Sequence, residues 1–139
     1  MNIIGQWKIK KLGTFDEELN FSLLPVEEAI KMEMWAENPG MAEAIYEFTP
    51  DGKMELNIPI PEGVTKEDIE EEGLEIKEGN RVVVETKNWK EENGEFLYDS
   101  EEHREVCGEI LSPWDKIEIN GNIATIYNGD TAMYEVERI

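Results

Sequence analysis

The single histidine and the single cysteine of the chain stand four residues apart, as His103 and Cys107 in the sequence HREVC. On a helix, this spacing would bring an imidazole and a thiol together as a base and a nucleophile. The segment 105–111 alternates like a strand instead, and residues four apart on a strand share a face but lie too far apart for a hydrogen bond. We therefore interpret His103 as a surface residue and Cys107 as a half-buried one. Any Ser-His-Asp triad would also have to use His103, and nothing marks a nucleophile for it.

Metal ligands are the second kind of chemistry that the composition allows. Thioethers bind copper(I). The methionines concerned fall on segments of different predicted type, which indicates core filling; they are Met32, Met34, Met41, Met54 and Met133. The acidic segment 62–78 lacks the Asp-x-Asp-x-Asp-Gly periodicity of a calcium loop, and no pair of carboxylates stands out as the acid and base of a glycosidase. The sequence therefore predicts no metal, no cofactor and no identifiable catalytic site.

The charge balance restricts the partners. The chain has 33 acidic and 13 basic residues and a formal net charge of −20. Nucleic acids and anionic membranes repel such a surface, since binding phosphate needs a local excess of Lys and Arg. One cysteine cannot form an internal disulfide, and the N-terminal residues lack a basic region followed by an apolar one. We expect a cytoplasmic protein that binds neither nucleic acid nor membrane, and the oligomeric state stays open.

Glycine turns divide the chain into short segments that alternate or are β-branched. The turns read PDGK, EGNR, ENGE, NGN and NGD, and Asn-Gly and Asp-Gly are strong hairpin signals because they tolerate positive φ. The predicted strands are 3–11, 44–49, 53–60, 74–77, 81–90, 95–99, 105–111, 116–119, 123–127 and 131–138. A length of 139 residues fits one domain, 1–139. The pattern predicts an all-β protein, an antiparallel up-and-down meander.

Two stretches favour helix. The sequence TFDE from Thr14 matches a capping box, and after Pro25 apolar residues recur at helical spacing. We expect a short helical segment after the first strand, within 15–35, that covers one mouth of the barrel predicted below. A second helix is predicted from Thr65 in TKEDIEEE; because Ile69 is its one apolar anchor, it should lie on the surface.

The two terminal strands carry the signal for closure. In the first strand Gly5, Trp7 and Ile9 share one face, and in the last strand Arg138 falls on the apolar face with Tyr134. A guanidinium on that face needs an aromatic ring and backbone carbonyls as partners. A meander whose first and last strands pair closes into a barrel and loses both sheet edges. We therefore predict a barrel of eight to ten strands in which Trp7 and Arg138 meet at one end.

These residues carry a family resemblance. Gly5-Gln6-Trp7 resembles the Gly-x-Trp motif that opens the lipocalins, fatty-acid-binding proteins and avidins, together called calycins, in which a C-terminal arginine packs across the tryptophan. The resemblance implies that Gly5, Trp7 and Arg138 form a structural plug of the barrel. The Arg-x-Tyr pair that grips a ligand carboxylate in fatty-acid-binding proteins is incomplete, since Ala132 precedes Tyr134 by two. The chain thus looks like a bacterial lipocalin-like protein rather than a fatty-acid carrier.

The resemblance implies binding of a small apolar or amphipathic molecule inside the barrel. The side chains expected to contact it are Met54, Leu56, Val82, Val84, Ile117, Ile119 and Tyr134. With Ala132 at the carboxylate-gripping position and glutamates at the rim, a neutral or cationic amphiphile should bind better than a fatty acid. The alternative is a barrel filled by side chains that binds a protein partner through its acidic surface. An enzyme on the same barrel is a third interpretation.

Overall fold

The computed structural model describes residues 2–100, 104–106, 109–111 and 113–139. The strands within these ranges are β1 (Gly5–Phe15), β2 (Phe21–Pro25), β3 (Ile45–Phe48), β4 (Lys53–Pro59), β5 (Ile76–Lys77), β6 (Arg81–Glu92), β7 (Glu95–Asp99), β8 (Arg104–Val106), β9 (Glu109–Leu111), β10 (Trp114–Asn120), β11 (Ile123–Asn128) and β12 (Thr131–Arg138). The helices are α1 (Val26–Ala29) and α2 (Lys66–Glu71), and 3₁₀ turns span Glu33–Trp35 and Pro39–Glu43. His103 and Cys107 lie outside the described residues.

Eight of these strands form a closed antiparallel barrel in the order β12-β11-β10-β7-β6-β4-β3-β1, and β1 pairs back with β12. The predicted all-β meander and its closure are confirmed, at the lower end of the predicted strand number. The additional strands lie beside the barrel: β2 extends along the outer half of β1, β5 pairs with β6, and β8 pairs with β9. Closure leaves neither β1 nor β12 with a free edge.

The hairpin turns follow from local chemistry. At the β6–β7 turn Asn93 and Gly94 have φ values of 53° and 81°, the two positive values that a two-residue turn of type I′ requires. Asparagine and glycine adopt this conformation with little strain, so the register of the hairpin is set by the dipeptide itself.

The prediction of helix from Thr14 is wrong, because β1 continues to Phe15 and returns as β2. The Asp16 carboxylate accepts hydrogen bonds from the backbone N–H groups of Glu18 and Asn20, both at 2.9 Å, and so closes a turn instead of capping a helix. The helix expected after Pro25 is limited to the four residues of α1 and the 3₁₀ turns. In contrast, α2 is confirmed: Thr65 and Asp68 form its capping box, and Ile69 is its buried residue.

One end of the barrel is closed by a contact between the two ends of the chain. Trp7 pairs with Arg138 in register, and the guanidinium lies 4.2 Å from the centre of the fully buried indole ring. The indole N–H donates to the Ile3 carbonyl at 2.9 Å. The guanidinium donates to the carbonyls of Ile4, at 3.1 Å, and Asn2. The guanidinium therefore has an aromatic ring and backbone carbonyl oxygens as its partners.

Gly5 is required at this end for two reasons. Its φ of 130° lies outside the range that residues with a side chain readily adopt, and a Cβ at this position would stand 3.2 Å from Nη1 of Arg138. The glycine of the Gly-x-Trp motif thus leaves space for the guanidinium that covers the tryptophan.

Buried apolar side chains from β1, β3, β4, β7, β10, β11 and β12 pack as a continuous cluster inside the barrel, together with residues of α1. The largest fully buried members are Trp7, Phe48, Ile3, Ile9, Leu12, Ile126, Val26 and Val136. Among the described residues, no helix combines the length and the apolar character needed to cross a membrane.

We predict that the Trp7–Arg138 contact is a major contributor to stability. Trp7→Ala should cost ~3–5 kcal/mol and lower Tm by roughly 10 °C or more, because it leaves a cavity and removes the surface on which Arg138 stacks. Arg138→Lys keeps the charge but not the planar fork, so its Tm should lie between those of wild type and Arg138→Ala. Thermal unfolding measures both, and unchanged Tm values for Trp7→Ala and Arg138→Ala would contradict the prediction.

We also predict that salt stabilises the fold. Described ion pairs such as Lys90–Glu92 (2.8 Å) and Lys116–Glu118 (3.2 Å) lie on the surface, where a pair contributes ~0–1 kcal/mol. They cannot offset the repulsion at a net charge of −20, whose range shrinks to about 10 Å at ~0.1 M salt. Tm should therefore rise with sodium chloride at neutral pH. A Tm that stays flat or falls would mean that local ion pairs outweigh net repulsion.

Candidate functional site

The barrel end opposite the Trp7–Arg138 contact is its open end. Register places Trp7 near one end of β1, whereas β2 pairs with the other end, Lys11–Phe15. Among the described residues, two irregular segments adjoin neighbouring strands at this end: the turn Pro39–Glu43 precedes β3, and residues 60–75, which include α2, follow β4. Connections of this kind, carried by a rigid sheet, are where binding residues concentrate in proteins.

A β-bulge in β6 shapes the wall of the opening. Leu56 of β4 pairs with Glu85, while the next residue, Asn57, pairs with Val83, so Val84 is an extra residue without a partner in β4. A bulge re-aims the side chains next to it. As a result Val84 is 42% exposed, whereas its neighbours Val82 and Val83 are buried.

Two adjoining hollows lie around Val84, of about 560 and 420 Å³, and share Ile58, Pro61 and Val84. We call them together the mouth cleft. Its other apolar lining residues are Met41, Pro59, Ile60, Val64, Ile69, Leu74 and Val82. Val64 and Leu74 are 39% and 40% exposed, so the cleft presents large apolar side chains to the solvent. Such an exposed apolar concavity is typical of a binding surface.

Carboxylates surround the mouth cleft. The first hollow is bordered by Glu37, Glu43 and Glu62, and the second by Asp68, Glu71 and Glu72. Of the described residues that line either hollow, none is a lysine or an arginine. Hydrogen bonds from Thr65, first from its backbone N–H, hold the pKa of Asp68 below its usual value, so this carboxylate is charged at neutral pH.

A smaller, polar cavity of about 100 Å³ lies inside the barrel. We call it the inner cavity; its lining residues are Tyr46, Met54, Glu85, Lys87, Tyr98, Ser100, Ile126, Asn128, Met133 and Tyr134. Lys87 forms an ion pair with Glu85 at 3.2 Å and lies 5.6 Å from the centre of the Tyr98 ring. The cavity has room for a few water molecules, since each occupies ~30 Å³ in the liquid.

Two tyrosines contribute to the wall of the inner cavity. The rings of Tyr46 and Tyr134 meet edge to face at 5.8 Å between centroids. Burial, together with the negative charge of nearby Glu85, raises the pKa of Tyr134, and it raises that of Tyr46 further. Both phenols are therefore neutral hydrogen-bonding groups throughout the physiological range.

Beyond the inner cavity, aromatic side chains fill the closed half of the barrel. Phe48 and Phe96 each contact Trp89, with ring centroids 6.2 Å apart in both pairs, and the Trp89 indole N–H donates to the Thr49 carbonyl. Ligand pockets for drug-sized molecules measure roughly 300–1,000 Å³. The mouth cleft falls in this range, and the inner cavity does not.

The residues expected to contact a ligand are distributed over three places. Met54 and Tyr134 line the inner cavity, Val82 and Val84 line the mouth cleft, and Leu56, Ile117 and Ile119 pack in or against the core. Sequence reasoning missed Ile58 and Pro61, which line both hollows. The sequence IPIPEG at 58–63 was the available signal. Prolines end a strand, and the apolar side chains beside them then lie at the edge of the sheet.

Within the described part of the chain, no group of three His, Cys, Asp or Glu side chains could hold a metal ion. The methionines serve as apolar filling at several places. Met54 and Met133 line the inner cavity, and Met34 lies near the tip of the β1–β2 hairpin, where its sulfur accepts from the Phe15 N–H.

We predict that the buried tyrosines make the fold sensitive to alkaline pH. Because their folded pKa values lie above the unfolded value of roughly 10, their contribution to stability is complete below that pH and is lost as the pH rises through the folded values. Tyr46→Phe should move alkaline unfolding to higher pH. Tyr127 is the control, because its phenol donates to the exposed Glu118 carboxylate. Tyr127→Phe should shift the pH of alkaline unfolding much less. Tyrosinate absorbance with circular dichroism checks this, and equal shifts would contradict it.

No protein-family model matches the chain, and no curated protein or solved structure shows significant similarity to it. The closed antiparallel barrel is compatible with a calycin-like fold.

Proposed function

We propose that this protein binds a small apolar or amphipathic molecule at the open end of its barrel, in the mouth cleft. The observation that carries the proposal is a solvent-open apolar concavity of ligand size on a barrel whose interior is otherwise packed. The calycin resemblance supports it, because it implies a ligand-binding barrel, and small-molecule sites occur preferentially in the mouths of β-barrels. In that comparison Gly5, Trp7 and Arg138 act as the structural plug of the other end.

The apolar surface is large enough to hold an alkyl chain or a compact ring system. Burying a CH₂ group contributes about 0.8 kcal/mol, so a chain of roughly eight to ten carbons would gain ~6–8 kcal/mol. Loss of translational and rotational freedom costs on the order of 4 kcal/mol or more. Shorter chains would bind negligibly. A ligand with a medium-length apolar body is therefore the smallest that the cleft would retain.

Polar groups lie next to the apolar wall. Val84 of the cleft is followed in β6 by Glu85 of the inner cavity, where Tyr134 contributes a neutral phenol. Carboxylates border the apolar lining of the cleft itself, so a bound molecule could place its apolar body in the cleft and its polar end at this rim. This arrangement favours an amphipathic ligand over a hydrocarbon.

A second candidate function is a filled barrel that binds a protein partner through its acidic surface. It is favoured by one observation, the small volume of the inner cavity, about 100 Å³. In that case the carboxylates around the opening would contact a basic partner, and the mouth cleft would receive one of its apolar side chains.

Binding of a neutral solvatochromic dye tests the proposal. Val84→Ser should weaken dye binding roughly tenfold, the effect of removing about 1.4 kcal/mol of apolar contact, without loss of fold because Val84 is largely exposed. The matched control is Leu19→Asn, which removes an 80% exposed leucine at the tip of the β1–β2 hairpin, where its φ of 64° suits asparagine. It should leave dye affinity unchanged.

Two outcomes would contradict the proposal. If Leu19→Asn abolished binding and Val84→Ser did not, the dye would occupy the apolar hollow near Phe15 and Met34 instead of the mouth cleft. If the wild-type protein bound no dye at all, the filled barrel with a protein partner would be the better interpretation.

A further inference from the structure

We infer that the polar group of the ligand is a cation, so that the mouth cleft accepts an alkylammonium amphiphile, and this inference rests on the proposed function. The charge around the cleft has one sign: each hollow is bordered by three acidic residues, Glu37, Glu43 and Glu62 in one and Asp68, Glu71 and Glu72 in the other. A concave surface lined with charges of one sign concentrates counterions of the opposite sign.

The guanidinium of Arg81 in β6 is already hydrogen-bonded to other protein groups. Arg81, the first residue of β6, donates from Nε to the Asn57 side-chain oxygen at 2.5 Å, and from Nη2 to the backbone carbonyls of Asn57, at 3.1 Å, and Glu43. The guanidinium is thus held against β4 and offsets at most the charge of Glu43. The remaining carboxylates of the rim have no lysine or arginine beside them among the lining residues.

The cation nearest to the inner cavity is also unavailable to an anion. Lys87 is paired with Glu85 at 3.2 Å and lies over the Tyr98 ring. A ligand carboxylate would have to displace Glu85 from Lys87 and would then stand beside the displaced carboxylate. An ammonium group can instead stay at the rim of the mouth cleft, where the bordering carboxylates are its acceptors.

Ligand discrimination follows from these charges. An ammonium approaches a cleft with an excess of carboxylates on a protein of net charge −20, whereas a carboxylate of equal chain length is repelled by the same groups. A matched alcohol measures the apolar contribution alone. The order of affinity should be ammonium, alcohol, carboxylate.

The test displaces the neutral dye with a primary alkylammonium, an alcohol and a carboxylate of equal chain length, each below its micellar concentration. At low salt the ammonium should displace the dye at a concentration about tenfold below that of the alcohol, and the carboxylate should be the weakest of the three. Sodium chloride should reduce the advantage of the ammonium and leave the alcohol unchanged, since screening acts on charges only.

A charge-neutralising variant locates the effect. Glu62→Gln combined with Glu72→Gln removes one carboxylate from each hollow and should weaken ammonium binding several-fold while alcohol binding stays constant. The matched control is Glu91→Gln combined with Glu95→Gln, which removes two exposed carboxylates beside the β6–β7 turn of the closed end and should change neither.

The outcomes separate the inference from the proposed function. If the alcohol or the carboxylate displaced the dye as well as the ammonium did, with Val84→Ser still weakening dye binding, the cation preference would be overturned and the cleft would remain a ligand site. The same holds if Glu91→Gln combined with Glu95→Gln reduced ammonium binding as much as Glu62→Gln combined with Glu72→Gln, because the effect would then be one of net charge. If no chain displaced the dye, both the inference and the proposed function would fail.

Discussion

The two ends of the chain meet at the closed end of the barrel, where Trp7 and Arg138 are paired in register across β1 and β12. Everything else in the architecture depends on this closure, because a meander of short strands that did not close would expose two edges and half of its apolar face. Gly5 leaves space for the guanidinium, and the ring and the backbone carbonyls replace the water that it loses. A cation at the end of an apolar barrel is thereby stabilised without a carboxylate partner.

Packing of this barrel decides where a ligand could bind. Aromatic side chains around Trp89 occupy the closed half, and the interior volume that remains is small and polar. The apolar surface that is accessible lies instead at the opening, where the bulge at Val84 and the prolines after Ile58 turn side chains outward. The site is thus produced by an irregularity of the sheet, and the regular part of the sheet supplies a rigid support for it.

The acidic surface bears on both the stability prediction and the proposed binding. Carboxylates around the opening are expected to repel one another in the folded state, most strongly at low ionic strength. The negative potential of the same carboxylates is the basis of the proposed preference for cations. Asp68 links the two effects, since its carboxylate caps α2 through Thr65, stabilising that helix, and also borders the mouth cleft.

The turns and the charge could be predicted from the sequence alone, and the faces of Trp7 and Arg138 indicated that the barrel closes. Asn93-Gly94 defines a hairpin locally, and the positions of Trp7 and Arg138 on apolar faces follow from a period of two along each strand. The sequence wrongly predicted a helix from Thr14. The residues that resemble a helix cap also form the Asx turn of Asp16, which joins β1 to its partner β2. Only the tertiary structure decided that Val84 is a bulge residue at the opening, because a bulge is defined by the partner strand. Pairing between distant strands, unlike a turn, is not encoded by any local run of residues.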